Sequence, residues 1–355
     1  MMLYVYNKTF ERIGIVEDLI SLQWLSMYRE AGEVKLVCSA TEKNLALLVD
    51  GNRLYCTEQP ESAVIRNTEI DDSGKTARLT VRAVLSVARW SSRVVMATEN
   101  ISNVELGMLS LTSKNRRGLP GITAPAKGFS KMFPTQITWE SVLDAEIVLA
   151  ESSGLGFREV FDPENGTESF EVYDGVNRVS GANYVGYFGD DINNLDDLKF
   201  TRGSDEWKNI AIVGGQGEGT ARKIVTVSLG NYSGDDRREL WVDAKDISKT
   251  YQVETAGEYV EKTYTDAEYT AVLQARGLEK LAECLQTLKV GATLGQGQMR
   301  YGIDYALGDI VPIKHTRYGL FLSARVSSVR TVYESTGKKV EAVLSEFNLT
   351  KGVSL

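Results

Sequence analysis

Four glycines fall within six residues, at Gly214, Gly215, Gly217 and Gly219, behind the apolar run IAIV and ahead of Arg222 and Lys223. Glycine-rich turns followed by basic residues can cradle phosphate in nucleotide-using enzymes. A Walker loop would need Lys and then Ser or Thr after its last glycine. Gly214 and Gly219 have the right separation, but Thr220 and Ala221 follow. A dinucleotide fingerprint starting at Gly215 would need glycine where Thr220 stands, and Glu218 inside the loop would repel a phosphate. Both cradles also need a helix N-terminus. Here RKIVTVSL follows, with Val225, Val227 and Leu229 alternating as in a strand. The stretch therefore predicts a β-hairpin, and no cofactor-binding residue is assigned.

The other chemical candidates are equally sparse. There is a single histidine, His315, in PIKHTRYG. Ser-His-Asp triads, Cys-His dyads and Cys/His zinc sites all need histidine near other named groups, so any such site would have to be built on this one residue, which reads as a surface or turn residue. Cys38, Cys56 and Cys284 are far apart and odd in number, which argues against a disulfide framework and for a reducing site of synthesis. The acidic stretch GDDINNLDDLKF fails as a calcium loop, because Leu195 occupies a ligand position and no glycine follows. It reads as a solvated turn. With 48 acidic residues some carboxylate pair is inevitable, so pairs alone carry no glycosidase assignment. No catalytic and no metal residue is assigned.

These residues sit in a chain of 355, long enough for two or three domains. Its net charge of −8 argues against a protein built to grip nucleic acid. The first residues lack a basic region followed by an apolar one, so no secretory leader is expected. No apolar stretch is long enough for a membrane span.

The elements that must position everything are mostly strands. LYVYN, EVKLVCSA, NRLYCTE, SAVIRNTEI and KTARLTVRAVLSV read as β, with turns at DG (Asp50, Gly51) and DDSGK. In the last run Ala77, Leu79, Val81 and Ala83 share one face, and Arg78, Thr80 and Arg82 the other. Residues 97–127 lose periodicity and read as a long loop or inserted segment carrying Lys114, Arg116 and Arg117. TWESVLDAEIVLAESSG predicts a helix capped by Thr138 and stopped by Gly154. ESFEVYDGVNRVS returns to β, with DG as another turn. The clearest helix follows Thr265, whose spacing to Glu268 fits a capping box. Its apolar stripe is Val272, Leu273, Leu278, Leu281 and Leu285, interrupted by Gly277.

The two ends of the chain share a pattern. Each has a glycine turn (Gly51 or Gly308), a short strand, a longer strand, a turn ending in Gly-Lys (Gly74-Lys75 or Gly337-Lys338) and a closing strand. The expected fold is mainly β with α+β character: two small antiparallel β-barrels flanking a central α/β portion. The expected domains are 1–96 as the first barrel, 97–200 as a loop, helix and connecting α+β unit, and 201–355 as the second barrel with an inserted helix at 265–287.

FEVYDGVNR, VGGQGEG with RKIV, LQARGLEKLAE, DYALGDIVPI and ARVSSVRTVY occur in this order. Together they resemble the ReqiPepy-type siphophage tail proteins, a family of tail-tip hubs similar to the central hub of contractile baseplates. The resemblance implies a homotrimer in which two barrels per subunit make a pseudo-six-fold ring. That ring would join a six-fold tail tube and distal tail protein to a three-fold tip carrying tape-measure, tip or fibre proteins. DNA would leave through its channel without specific binding, and the protein, made in the host bacterial cytoplasm, would reside in the virion. A fibre or wall-cleaving role would need a separate protein, because the chain stops at Leu355. The competing classes are a carboxylate-based cell-wall glycosidase and a β-rich carbohydrate-binding module, for which the scattered Trp24, Trp90, Trp139, Trp207 and Trp241 form no cluster.

Overall fold

The computed structural model describes residues 1–74, 76–255, 258–284, 287–294 and 299–349. Lys75 of the first Gly-Lys turn and Leu285 of the helical stripe lie outside the described residues.

The first lobe holds β1 (Leu3–Tyr6), β2 (Arg12–Ile15), β3 (Leu19–Met27), β4 (Glu33–Ser39), α1 (Glu42–Leu47), β5 (Arg53–Cys56), β6 (Ser62–Asp71) and β7 (Arg78–Leu85). A connecting unit follows with β8 (Glu99–Asn103), α2 (Val104–Lys114), β9 (Ile122–Thr123), β10 (Met132–Ile137), α3 (Val142–Ser153), β11 (Gly156–Asp162) and β12 (Thr167–Tyr173). The second lobe begins with β13 (Phe188–Gly189) and β14 (Leu195–Gly203). An α/β unit intervenes, made of β15 (Ile210–Gly214), β16 (Ile224–Ser228), β17 (Glu239–Asp243), β18 (Thr250–Thr255), β19 (Glu258–Thr263) and α4 (Asp266–Glu283). The second lobe then resumes as β20 (Thr287–Leu294), β21 (Ile310–His315), β22 (Leu320–Glu334) and β23 (Gly337–Leu349).

Period-two patterning sets the strands. Leu22 and Trp24 of β3, Leu36 of β4 and Val81 of β7 are fully buried, and with Leu54 and Ile65 they form the first lobe's core. Arg78 and Arg82 face outward. Burying each large side chain contributes about 1.5–3 kcal/mol. Phe188, Tyr305, Val311, Leu322, Val326 and Leu344 make a second core in the other lobe. The mainly β class is as expected. The two lobes, however, belong to a single thirteen-stranded sheet, and no ring of pairings closes among the described residues, so the expected barrels are open, curled lobes.

One strand joins them. The N-terminal part of β22 pairs with β21, while Ser328–Glu334 pair with β3 from Met27 to Ser21. Register shifts at Ser323/Arg325 and Val326/Ser328 bend it against β23, as bulges do. Val326 and Val329 thus point into the second core, and Tyr333 into the first. The repeated pattern of the two ends is visible as two antiparallel meanders, β5-β6-β7 and β21-β22-β23.

Several local expectations are corrected. Residues 97–127 are not a long loop, since β8 and α2 occupy 99–114. Val104, Met108 and Leu111 supply the buried face, but Gly107 and the Ser/Thr residues dilute the pattern. Gly107 is there for space, as a Cβ would stand 2.5 Å from Ile101. Asp50-Gly51 joins α1 to β5 rather than two strands. The cap of α3 is Ser141, not Thr138, while Gly154 ends the helix as expected at φ +82. Thr265 and Glu268 do form the capping box of α4.

Candidate functional site

The residues that stand out make joints between units and a charged outer face. The first joint is centred on Tyr28, immediately after β3. Its hydroxyl donates to the carbonyl of Gly154 at 3.1 Å and accepts from the amide of Gly175 at 3.2 Å. Gly154 caps α3 and Gly175 follows β12, so one phenol ties the first lobe to the connecting unit. The second lobe enters through Arg325, which donates to the Gly308 carbonyl at 2.8 Å and lies over the Tyr28 ring at 5.1 Å. Burial pushes the Tyr28 phenol up to about 12, against the pull of Arg325.

Gly175 was expected in a turn. Instead, a Cβ there would stand 1.8 Å from the Gly308 carbonyl, so the glycine permits two backbones to touch. Beside it, buried Asp309 accepts from the amides of Val176 at 2.8 Å and Ala306 at 2.9 Å, and from Arg178 Nε at 2.5 Å. DGVNR and ALGD, far apart in sequence, form one contact.

A second joint is ionic. Arg89 Nη2 reaches Glu159 Oε2 at 2.6 Å and Glu168 Oε2 at 2.7 Å. Ser86 donates to Glu168 Oε1 at 2.5 Å, Ser62 donates to the same oxygen, and Trp90 Nε1 donates to Glu159 Oε1 at 3.2 Å. Burial raises the Glu159 carboxyl, with Arg89 opposing. Nearby, burial pushes Glu61 up to about 7 against Arg158. These groups are sealed between the first lobe and the β11–β12 hairpin, which suits holding units together.

The glycine-rich stretch is a hairpin. β15 pairs antiparallel with β16 and parallel with β17. Arg222 donates to the carbonyls of Gly215 at 2.9 Å and Gly214 at 2.7 Å and pairs with Asp243. Lys223 meets Asp266 at 2.5 Å. Both cations that could have met a phosphate are engaged inside the chain. Gly215 lets Tyr269 approach, and the Tyr269 hydroxyl accepts from the Gln216 amide at 2.8 Å.

The acidic stretch opens the second lobe. Asp190 accepts from the amides of Thr316 at 2.7 Å and Arg317 at 3.3 Å, and these bonds, the Thr316 amide foremost, hold its carboxyl down at about 2. Asp191 pairs with Lys314 at 2.5 Å. His315 ends β21, stacks on Tyr318 at 4.6 Å, and lies 3.5 Å from Asp190. No cluster of metal-ligating side chains is found among the described residues.

The outer face of the first lobe carries a different signal. A hollow of about 320 Å³ is lined by Lys35, Arg66, Arg82 and Arg330, with Glu33 as its acid. Lys35 lies directly opposite Arg82 in the β4–β7 register. Like charges so placed repel. Among the described residues, none of these four cations is in an ion pair. The sequence hid this cluster, because its members come from β4, β6, β7 and β22; only the alternation of Arg78, Thr80 and Arg82 was legible.

The family described as Siphovirus ReqiPepy6 Gp37-like protein matches residues 2–344. The fold is similar to that of the tail protein from Neisseria meningitidis MC58, at 12% identity and a TM-score of 0.60 over 97% of this chain and 96% of that one. It is similar to the 43 kDa tail protein of prophage MuSo2 from Shewanella oneidensis, at 10% identity and a TM-score of 0.59 over 98% of each chain. Prophage tail protein gp18 from Listeria monocytogenes EGD-e matches at 14% identity and a TM-score of 0.56 over 99% of this chain and 96% of that one. No curated protein matches the sequence.

Proposed function

This chain belongs to the Siphovirus ReqiPepy6 Gp37-like protein family, and on that premise we propose that it is the structural tail-tip hub of a phage or phage-like particle. The observation that carries the reading is the end-to-end likeness of fold to phage tail proteins, across both lobes and everything between them. Two similar meanders stitched by β22 suit a subunit that offers two related surfaces. Three such subunits present six, which would match a six-fold tube and distal tail protein on one side and a three-fold tip on the other. An acidic chain lining the channel would let DNA pass without holding it. The joints at Tyr28 and Arg89 would keep the lobes in fixed relation, and the unpaired cations of the first lobe would meet an acidic face of a neighbouring virion protein. The role is architectural rather than enzymatic.

Light scattering across a range of concentrations tests this reading. The expected mass is three times 39.2 kDa, alone or after addition of the distal tail protein. A dimer, or a chain that stays monomeric and unbound with that partner, overturns it.

A further inference from the structure

We propose that the cleft between the connecting unit and the α/β unit binds an uncharged oligosaccharide, with Trp139 as its stacking platform. The cleft encloses about 750 Å³, and its walls include Met96, Trp139, Asp246, Tyr251, Glu261 and Arg276. That volume is in the range of sites for small organic ligands.

Trp139 is the anomaly that marks the site. The residue is 71% exposed although tryptophan usually buries most of its surface. Its backbone sits at φ +57, where bulky residues are rarely found. The conformation is braced from both sides: the Trp139 amide donates to Val95 at 2.9 Å, and the Val95 amide donates to the Glu140 carbonyl at 2.9 Å. A strained turn that presents a large aromatic to solvent is the kind of outlier that points to function.

A second aromatic of the lining, Tyr251, is held in place too. Tyr251 stacks on Tyr264 at 4.3 Å, and the Tyr264 hydroxyl donates to Asn100 at 2.9 Å. Aromatic faces take the C–H face of a sugar ring. Around them stand acceptors suited to sugar hydroxyls. Asp246 is oriented by Arg276 at 3.1 Å, and the carboxylates of Glu140 and Glu261 accept no hydrogen bond among the described residues. Hydroxyls of Thr138, Ser248 and Thr250 line the same cleft. Against Glu140, Asp246 and Glu261 the cleft sets one cation, Arg276. That imbalance repels phosphate-bearing or sulfated polymers and favours a neutral saccharide. A basic peptide is the other chemistry such a cleft could take.

The test titrates the intact protein with chitotetraose, cellotetraose and maltotetraose, and separately with tetralysine, reading tryptophan fluorescence and saturation-transfer NMR. One neutral saccharide is expected to saturate, with affinity unchanged at high salt. Trp139→Ala is expected to weaken it at least about tenfold. Trp139→Gly provides the folding control, because glycine takes this φ freely; it keeps the fold and loses the saccharide. The proposal is overturned if no saccharide saturates below about 10 mM, if Trp139→Gly still binds, or if tetralysine alone binds. None of these outcomes alters the oligomer mass that tests the hub reading.

Discussion

Arg89 and Glu168 meet at 2.7 Å with side chains 5% and 0% exposed, and Arg53 and Ser62 of the first lobe reach the same Glu168 carboxylate of the β11–β12 hairpin. A buried pair of this kind gains little over an apolar contact, but losing one partner leaves a charge stranded. The pair therefore fixes how two units sit rather than adding much stability.

Glu168→Leu is expected to cost about 3–5 kcal/mol in urea unfolding, because Arg89 and Arg53 lose a shared partner inside the protein. The exposed pair Lys114–Glu99, at 2.7 Å, is the contrast: Lys114→Ala should cost below about 1 kcal/mol. Equal effects from the two substitutions would show that the ionic joint is not buried in solution.

Gly277 looks like a defect in α4, and alanine there would normally gain about 1 kcal/mol of helix propensity. The structure reverses the sign. A Cβ on Gly277 would stand 2.8 Å from Val213 and 2.8 Å from Val227, since the helix lies flat on its sheet. Gly277→Ala is expected to destabilise by about 1–3 kcal/mol through overpacking. A higher melting temperature in the variant would contradict this close approach.

Glu146 of α3 is fully buried, and neither carboxylate oxygen has a hydrogen-bond partner among the described residues. Burial alone raises its carboxyl well above the ordinary range. Glu61 is raised to about 7, also by burial first. A raised carboxyl means that the folded protein holds a proton that the unfolded chain has released. Their titration therefore takes nothing from stability below the ordinary carboxylate range, and stability falls as pH climbs from there, through about 7 for Glu61 and in the same direction for Glu146. Glu146→Leu is expected to flatten that fall and to stabilise at pH 8 by about 1–3 kcal/mol, the usual cost of an unsatisfied buried polar group. Unfolding curves at pH 5 and pH 8 compare the two proteins, and a variant whose fall matches the parent would remove Glu146 from the explanation.

What the sequence disclosed follows the range of each interaction. The strand at Arg78–Leu85 was legible because its alternation is local, and α4 because Thr265 and Glu268 are three residues apart. α2 was not, because Gly107 serves a contact with Ile101 that no periodicity encodes. The Tyr28–Arg325 contact spans 297 residues of sequence, so neither side chain advertised the joint. The order of motifs did carry part of it: DGVNR and ALGD, recognised only as a resemblance, turn out to touch. The cation face and the Trp139 cleft draw on strands and turns from separate units, and exposure is what distinguishes them.

Lys35 offers the test that separates folding from assembly. Facing Arg82 across β4 and β7, it repels a like charge, so Lys35→Glu creates an attractive cross-strand pair. The isolated chain is expected to gain about 0.2–1 kcal/mol, read by urea unfolding at low salt. The same reversal should weaken docking of an acidic virion neighbour on this face, seen as slower association that high salt no longer modulates as in the parent. A cluster kept for stability would give the opposite signs, with a weaker fold and unaltered assembly. A gain in stability together with a loss of assembly would mean that the four cations are held in a repulsive arrangement for the sake of a partner.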